Sequence, residues 1–149
     1  MPAAAEPAHD APDVLRRIHD WLGLPRTRTE HEFIRLVEHG LATKVIDAMR
    51  RHGLSDEEVY ALVLPRRTLA HRRSRREALS RDESDRVVRV ARIAALAEHV
   101  FGEPERAWRW LRDAKKQLEG RTPLQLTATE AGARLVEAFL YRIDEGMAA

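Results

Sequence analysis

Polar residues with the spacing of a helix N-cap recur along this 149-residue chain, each just before a segment of helical periodicity. In a capping box, a Ser or Thr side chain accepts a hydrogen bond from the amide three residues on, and the Glu there accepts one in return. No segment shows the strict alternation of a half-buried strand. The chain is therefore predicted to be all-α, with seven or eight short helices, and the spacing pairs Thr29 with Glu32, Ser55 with Glu58, and Ser80 with Glu83.

Glycine and proline divide the periodic segments into separate helices. The apolar stripes predict that Ile34 and Leu135 face the core with their neighbours. The segment after Ser80 is the longest apolar one, so we expect it to be either a central core helix or a dimer seam. Gly146 is expected to end the last helix. The expected helices cover residues 13–22, 30–39, 41–52, 56–63, 65–77, 81–101, 104–118 and 129–144, with a short turn after Thr122 and Pro123.

Composition excludes several classes of protein. The chain has no cysteine, so it has neither disulfides nor thiolate metal ligands. No stretch approaches the roughly 18 apolar residues that span a bilayer. The start, "MPAAAEPAHDAP", lacks the basic-then-apolar order of a signal peptide and is typical of a disordered tail over residues 1–12. We therefore expect a cytoplasmic protein.

Charge is concentrated in one segment. Residues 65–81 contain seven arginines and one glutamate, although the whole chain has a formal net charge of only +2. The segment follows a short helix and a proline break, which is the order of a helix-turn-helix over about 54–77. The first turn of a recognition helix must reach base edges, and the cations that follow it contact phosphates. The candidate DNA-binding residues are Arg66, Arg67, Thr68, Arg72, Arg73 and Arg76, with Leu69 pointing back into the core. The other interpretations are a solvated basic helix and a contact for an acidic partner.

Catalysis has little support in the sequence. The seven histidines are scattered, and no third ligand joins His31 and His39 on their helix face. We find no nucleophile with a neighbouring base and no glycine-rich phosphate loop. We expect no enzymatic activity, no catalytic residues, no cofactor and no metal.

The last helix suggests a second interface. Its polar and aromatic residues Tyr141, Arg142 and Glu145 lie outside the apolar stripe, and Met147 lies beyond Gly146. Aromatic and arginine side chains are enriched where proteins contact partners. These four residues are the candidate partner-binding surface.

Residues 40–149 carry a specific resemblance. The segments "LSRDESDR" and "GRTPLQL" with "TEAGARLVE" resemble the Xre/MbcA/ParS-type antitoxins that accompany RES-domain toxins. The segment "DAKKQLEG" departs from this pattern, because many relatives have a proline-containing loop there. The residues that match the family's C-terminal framework are Gly120, Thr122, Pro123, Thr129, Gly132 and Gly146.

The resemblance implies an Xre-like helix-turn-helix bundle followed by a small helical toxin-binding region. It implies a helical region at 13–101 and a toxin-binding region at 102–149. Such antitoxins block the active site of a toxin that consumes NAD, and they bind their own operator DNA. The four candidates of the last helix then become toxin contacts, and a homodimer is expected. The alternatives are a protein-interaction module and a plain helix-turn-helix regulator without a toxin partner.

Overall fold

The computed structural model describes the backbone of residues 11–148 and the side chains of residues 13–146. Within this range the chain is all-α, as predicted, with nine α-helices and one short 3-10 helix at Lys116–Leu118. The expected tail at 1–12 falls mostly outside the described residues, and its last two residues belong to the first helix. The helices are α1 Ala11–Leu22, α2 Glu30–His39, α3 Lys44–His52, α4 Asp56–Leu62, α5 Arg66–Ser74, α6 Arg81–Phe101, α7 Pro104–Leu111, α8 Pro123–Leu126 and α9 Glu130–Ala148.

Helix α6 is the central element of the fold. It packs against α1, α2, α3, α7 and α9. Small and β-branched residues line its buried side, and Val87, Ala91 and Ala97 have no exposed surface. Such residues let neighbouring helices approach closely, which explains how one helix can pack against five others. Of the two roles expected for this segment, the structure places it in the core of the monomer.

The predicted helix starts are largely confirmed. Full capping boxes form at Ser55 and Ser80. At Thr29 only half of the box forms: its hydroxyl accepts from the Glu32 amide, but the Glu32 carboxylate accepts from the amide of Arg28 instead. A further box joins Thr122 to Gln125, with Pro123 in the first turn as expected.

The helix predicted over 104–118 is too long, because α7 ends at Leu111. Arg112 turns away towards the turn between α3 and α4, where its Nη2 donates to the Gly53 carbonyl at 2.6 Å. The chain then reverses, and the amide of Lys115 donates to the Arg121 carbonyl. This reversal brings Leu118 into the core at 5% exposure. Burial of that leucine and the bonds of Arg112 outweigh the local helical preference.

Three other expectations for helix ends and core positions were wrong. Helix α9 runs through Gly146 to Ala148, and Gly146 is not among the glycines with positive φ that end helices here. Ile34 and Leu135 were expected in the core, but they are exposed by 47% and 45%. Each lies at the edge of an apolar stripe, and the neighbouring helices cover the other side of that stripe.

Candidate nucleic-acid and partner interfaces

Helices α4 and α5 are joined by a turn of three residues, 63–65, and the turn is anchored in the core. Val63 and Leu64 are almost fully buried, and Leu69 of α5 is 4% exposed, as predicted. Pro65 was expected to be the first residue of α5, but it takes the N-cap position and α5 begins at Arg66. Pro65 supplies no side-chain cap. The first amides of α5 therefore have no side-chain acceptor, which suits a helix end that binds phosphate.

The first turn of α5 presents unpaired cations. Arg66 and Arg67 are exposed, and Thr68 beside them is half-buried. The ion pairs that the structure describes in α5 involve only later arginines. Both guanidinium groups are therefore available to an external anion.

Arg72 has a different environment from the one expected for a DNA contact. Its Nε donates to Glu83 Oε1 at 2.9 Å and its Nη2 to Glu83 Oε2 at 3.3 Å, so the pair is bidentate. Glu83 is buried at the start of α6, where it also accepts from the Ser80 amide. Burial alone raises the pKa of Glu83, but the hydrogen bonds from Arg72 and Ser80 outweigh it and leave this pKa below its usual value. Arg72 thus positions α5 against α6.

Arg73 and Arg76 also differ from the first-turn arginines. Arg73 Nη2 donates to Asp47 Oδ1 of α3 at 2.9 Å, which ties α5 to a second neighbour. Arg76 has φ +55°, and its amide donates to the Arg73 carbonyl. The next amide, of Glu77, donates to the Arg72 carbonyl, which completes a Schellman motif. This motif ends α5 at Ser74, three residues before the expected end, while the side chain of Arg76 stays exposed.

The C-terminal region is built on a close contact between α8 and α9. A Cβ at Gly132 would lie 2.0 Å from the Leu126 carbonyl oxygen, so only glycine fits there. Thr129 Oγ1 accepts from the Gly132 amide at 3.0 Å and satisfies one free donor of the first turn. These contacts explain why two of the framework residues have the identities they do.

Ion pairs also hold α9 against α6. Arg92 Nη2 donates to Glu130 Oε1 at 2.9 Å, and Arg89 Nε donates to Glu130 Oε2 at 3.3 Å. Burial opposes ionisation of Glu130, but these two arginines outweigh it and lower its pKa. Arg92 also pairs with Glu137, which lies two turns beyond Glu130 on α9.

The four candidate partner contacts occupy different surroundings. Tyr141 is half-buried and packs beside Arg17 and Val14 of α1, and burial, followed by the charge of Glu137, raises its pKa. Arg142 is exposed, and its guanidinium lies 4.3 Å from the centre of the Phe139 ring. Glu145 is exposed, and the side chain of Met147 lies outside the described residues. Arg142 and Glu145, three residues apart, therefore share an exposed face of α9, whereas Tyr141 is half-buried.

Sequence reasoning missed the contacts that join the two regions. Arg112 donates to both carboxylate oxygens of Glu58 at 2.7 and 3.0 Å, and Glu58 is also the capping residue of α4. Trp108 Nε1 donates to the His52 carbonyl at 2.6 Å. Glu58 was identified for its cap alone, because nothing in sequence spacing pairs it with a residue 54 positions away.

Helix α1 contributes a further set of unpredicted contacts. Trp21 stacks on His52 of α3 with ring centroids 4.4 Å apart, and its Nε1 donates to Glu98 of α6. His19 is 4% exposed and contacts the Leu15 carbonyl and Thr27. Thus α1 packs as an integral part of the bundle.

The described residues form neither a metal-binding cluster nor a membrane-spanning helix. Between residues 11 and 148, no three His, Asp or Glu side chains lie close enough to hold a metal ion. No helix in the same range combines the length and the apolar character needed to cross a bilayer.

Comparison with known proteins matches both regions. Residues 32–92 match the antitoxin Xre-like helix-turn-helix domain, and residues 96–146 match the antitoxin Xre/MbcA/ParS C-terminal toxin-binding domain. A protein from Pseudomonas putida described as antitoxin Xre is 35% identical over 130 residues, which is 87% of this chain and 82% of that protein. An antitoxin Xre from Yersinia enterocolitica is 29% identical over 129 residues, covering 85% of this chain and 86% of that protein. The two matched segments meet within α6, and α1 precedes both.

Proposed function

Because the chain belongs to the Xre antitoxin family, with a helix-turn-helix domain and a toxin-binding C-terminal domain, we propose that it neutralises a RES-domain toxin. The toxin consumes NAD, and the C-terminal region, residues 102–149, covers its active site. The helical region at 13–101 binds operator DNA through α5 and represses the operon. The protein acts in the cytoplasm without enzymatic activity of its own.

The DNA-binding part of the proposal rests chiefly on the first turn of α5. Arg66 and Arg67 are exposed and unpaired within the described chain, beside amides that lack a side-chain cap. Arg76 adds a third exposed cation at the other end of α5. Arg72 and Arg73 hold the helix in place through α6 and α3, so we assign them to positioning rather than to DNA contact.

A gel-shift titration with the DNA upstream of the gene tests this part. The double variant Arg66→Ala/Arg67→Ala should weaken binding by about tenfold or more, and it should reduce the salt dependence by one to two phosphate equivalents. The matched control is Arg106→Ala/Arg109→Ala, which removes the same charge from exposed positions of α7. Equal losses of DNA affinity in both double variants would mean that binding depends on net charge alone. Unchanged DNA binding by Arg66→Ala/Arg67→Ala would mean that the first turn of α5 does not contact DNA.

The proposed neutralisation is tested with a purified RES-domain toxin. Its NAD consumption should stop when the wild-type chain is added at equimolar concentration, and the Arg66→Ala/Arg67→Ala variant should inhibit equally well. Continued NAD consumption by the toxin in the presence of folded wild-type chain would contradict this part. DNA binding without any toxin interaction would favour the plain regulator, and the absence of both activities would favour an interaction module.

We also propose that the chain acts as a homodimer. Helix-turn-helix proteins read paired half-sites with matching two-fold symmetry, spaced by about one turn of DNA. Light scattering of the purified chain should give twice its mass of 17.1 kDa. Inserting half a helical turn between the two half-sites should weaken operator binding strongly, whereas a monomer bound to one half-site would be indifferent to the spacing.

A further inference from the structure

Leu135 is an exposed leucine on a helix that is otherwise well packed. Helix α9 buries Ala133, Val136 and Leu140 completely, whereas Leu135 is 45% exposed. Together with Ile34 it is one of two large hydrophobic side chains that are exposed within the described part of the chain. A single exposed leucine requires no explanation. Leu135, however, is accompanied by other residues on its side of the helix.

Phe139 and Arg142 continue the same face. Residues at positions i, i+4 and i+7 lie above one another on a helix, so Leu135, Phe139 and Arg142 form one stripe, which we term the α9 outer face. Phe139 is half-buried, and the Arg142 guanidinium lies over its ring at 4.3 Å. Exposed alanines at 131 and 138 flank the stripe, so no large polar side chain covers it there.

The α9 outer face is held rigidly. Arg89 and Arg92 form ion pairs with Glu130 at the start of the helix, and Arg92 also pairs with Glu137. The inward side is locked by completely buried residues. A surface that is already ordered loses little entropy on binding, which favours affinity.

The chemistry of the face defines the partner surface that fits it. An aliphatic and an aromatic side chain on one helical face suit an apolar groove that accepts a helix. Among the described residues of α9, the ion pairs involve Glu130, Arg134 and Glu137, and Arg142 takes part in none of them. Arg142 Nε donates to the Ala138 carbonyl at 3.4 Å, which leaves the two terminal nitrogens of the guanidinium to bind a carboxylate at the end of such a groove. Arginine is enriched among the residues that dominate protein interfaces, and the leucine and phenylalanine beside it add apolar area that a partner can bury.

We propose that the α9 outer face is the surface that docks into an apolar, acid-edged groove on the toxin. The occupant is the toxin because the matched toxin-binding domain spans residues 96–146 and contains the whole face. The exposed Ile34 lies instead in the matched helix-turn-helix domain. This inference rests on the proposed function and assigns Leu135 and Phe139 roles that the sequence did not indicate. Tyr141, turned towards α1, lies outside the interface.

Affinity for the RES-domain protein tests the inference by calorimetry or interferometry. Leu135→Glu should weaken binding by about 30-fold or more, as expected for the loss of an interface hot spot. Phe139→Ala should also weaken binding. Arg142→Glu should weaken it similarly without removing an apolar side chain, and it serves as the second variant should Phe139→Ala lower stability. The matched control is Ile34→Glu, which also replaces an aliphatic side chain by glutamate, at nearly the same exposure on α2, and should bind the toxin like wild type.

The outcomes separate this inference from the proposed function. Wild-type chain that neither binds nor inhibits the toxin overturns both. Wild-type binding that is matched by Leu135→Glu and Arg142→Glu overturns the inference and leaves the antitoxin function standing. If Leu135→Glu instead turns a dimer into a monomer and keeps toxin affinity, the face binds a second copy of the chain, and the inference fails. Operator binding by each variant, unchanged from wild type, verifies that the fold is intact.

Discussion

Helices α5 and α9 are both assigned to interfaces, but they are attached to the molecule by different forces. Helix α5 has nine residues and one buried side chain, Leu69, and its arginines tie it to α3 and α6 through carboxylates. Helix α9 has 19 residues and is seated by a continuous apolar face, with ion pairs only at its margin. A helix that must present charge to DNA cannot bury much of its surface, so its attachment depends on ion pairs. A helix that offers an apolar surface to a protein must be anchored by a second apolar face.

Among single substitutions, the largest expected effect comes from a comparison of two leucines of α9. Leu140→Ala should lower the free energy of unfolding by about 2 to 5 kcal/mol, because it leaves a cavity in the core. Leu135→Ala should change it by less than about 0.5 kcal/mol, since the side chain is already in solvent. Urea denaturation of both variants measures the difference. Equal effects would contradict the division of α9 into an inner and an outer face.

The same contrast predicts that removal of α9 will not leave a folded DNA-binding unit. Helix α9 covers α6, which also forms the core around α1 and α3. Truncation before Thr129 should therefore unfold the chain and abolish both activities, so point variants are the appropriate probes. This outcome would reflect the shared core and would not argue against separate binding surfaces.

Substitution of two glycines of α9 tests the close contact between α8 and α9. Gly132→Ala should destabilise the chain by about 1 to 3 kcal/mol, because the new Cβ would meet the Leu126 carbonyl. Gly146→Ala should stabilise it slightly, by at most about 1 kcal/mol, since its Cβ meets nothing and alanine favours helix. Thermal denaturation of the two variants gives opposite shifts if the contact between α8 and α9 is correct.

Acid should loosen α5 before α9. The pKa of Glu83 is lowered in the folded chain, so its pair with Arg72 stabilises α5 fully above the usual carboxyl range. That contribution is lost as the pH falls through the usual carboxyl range, about 4, towards the lowered pKa of the folded chain. Hydrogen exchange should show protection lost first in α5, and Glu83→Gln should remove this pH dependence. Glu130 also loses its pairs in acid, but the buried face of α9 remains, so simultaneous loss in both helices would break the comparison.

The smallest expected effect is at the end of α5. Arg76 adopts φ +55°, which costs a non-glycine residue about 1 kcal/mol. Arg76→Gly should therefore raise the free energy of unfolding by about 0.5 to 1 kcal/mol and weaken operator binding slightly through the lost charge. Chemical denaturation together with a gel shift separates the two effects. Arg75→Gly, at a residue with negative φ, is the control and should not stabilise.

Local patterns predicted most of the helices because caps, breaks and periodicity act between residues a few positions apart. The boxes at Ser55 and Ser80 and the buried Leu69 follow from such patterns. The end of α7 does not, since Arg112 leaves the helix to bind groups more than 50 residues earlier. The orientation of α9 was also misjudged, because periodicity defines a stripe without saying which edge a neighbour covers.

By itself, the sequence determined the all-α class, most helix starts, the helix-turn-helix order and the concentration of arginine in α5. These properties depend on short-range spacing and on composition. Only the tertiary structure decided which arginines are paired: Arg66 and Arg67 face solvent, while Arg72 pairs with Glu83 and the exposed Arg73 pairs with Asp47. It also decided that Leu135 lies outside and Tyr141 against α1. The reason is that charge and hydrophobicity are properties of a residue, whereas the ability of its side chain to contact a partner depends on what packs beside it in the fold.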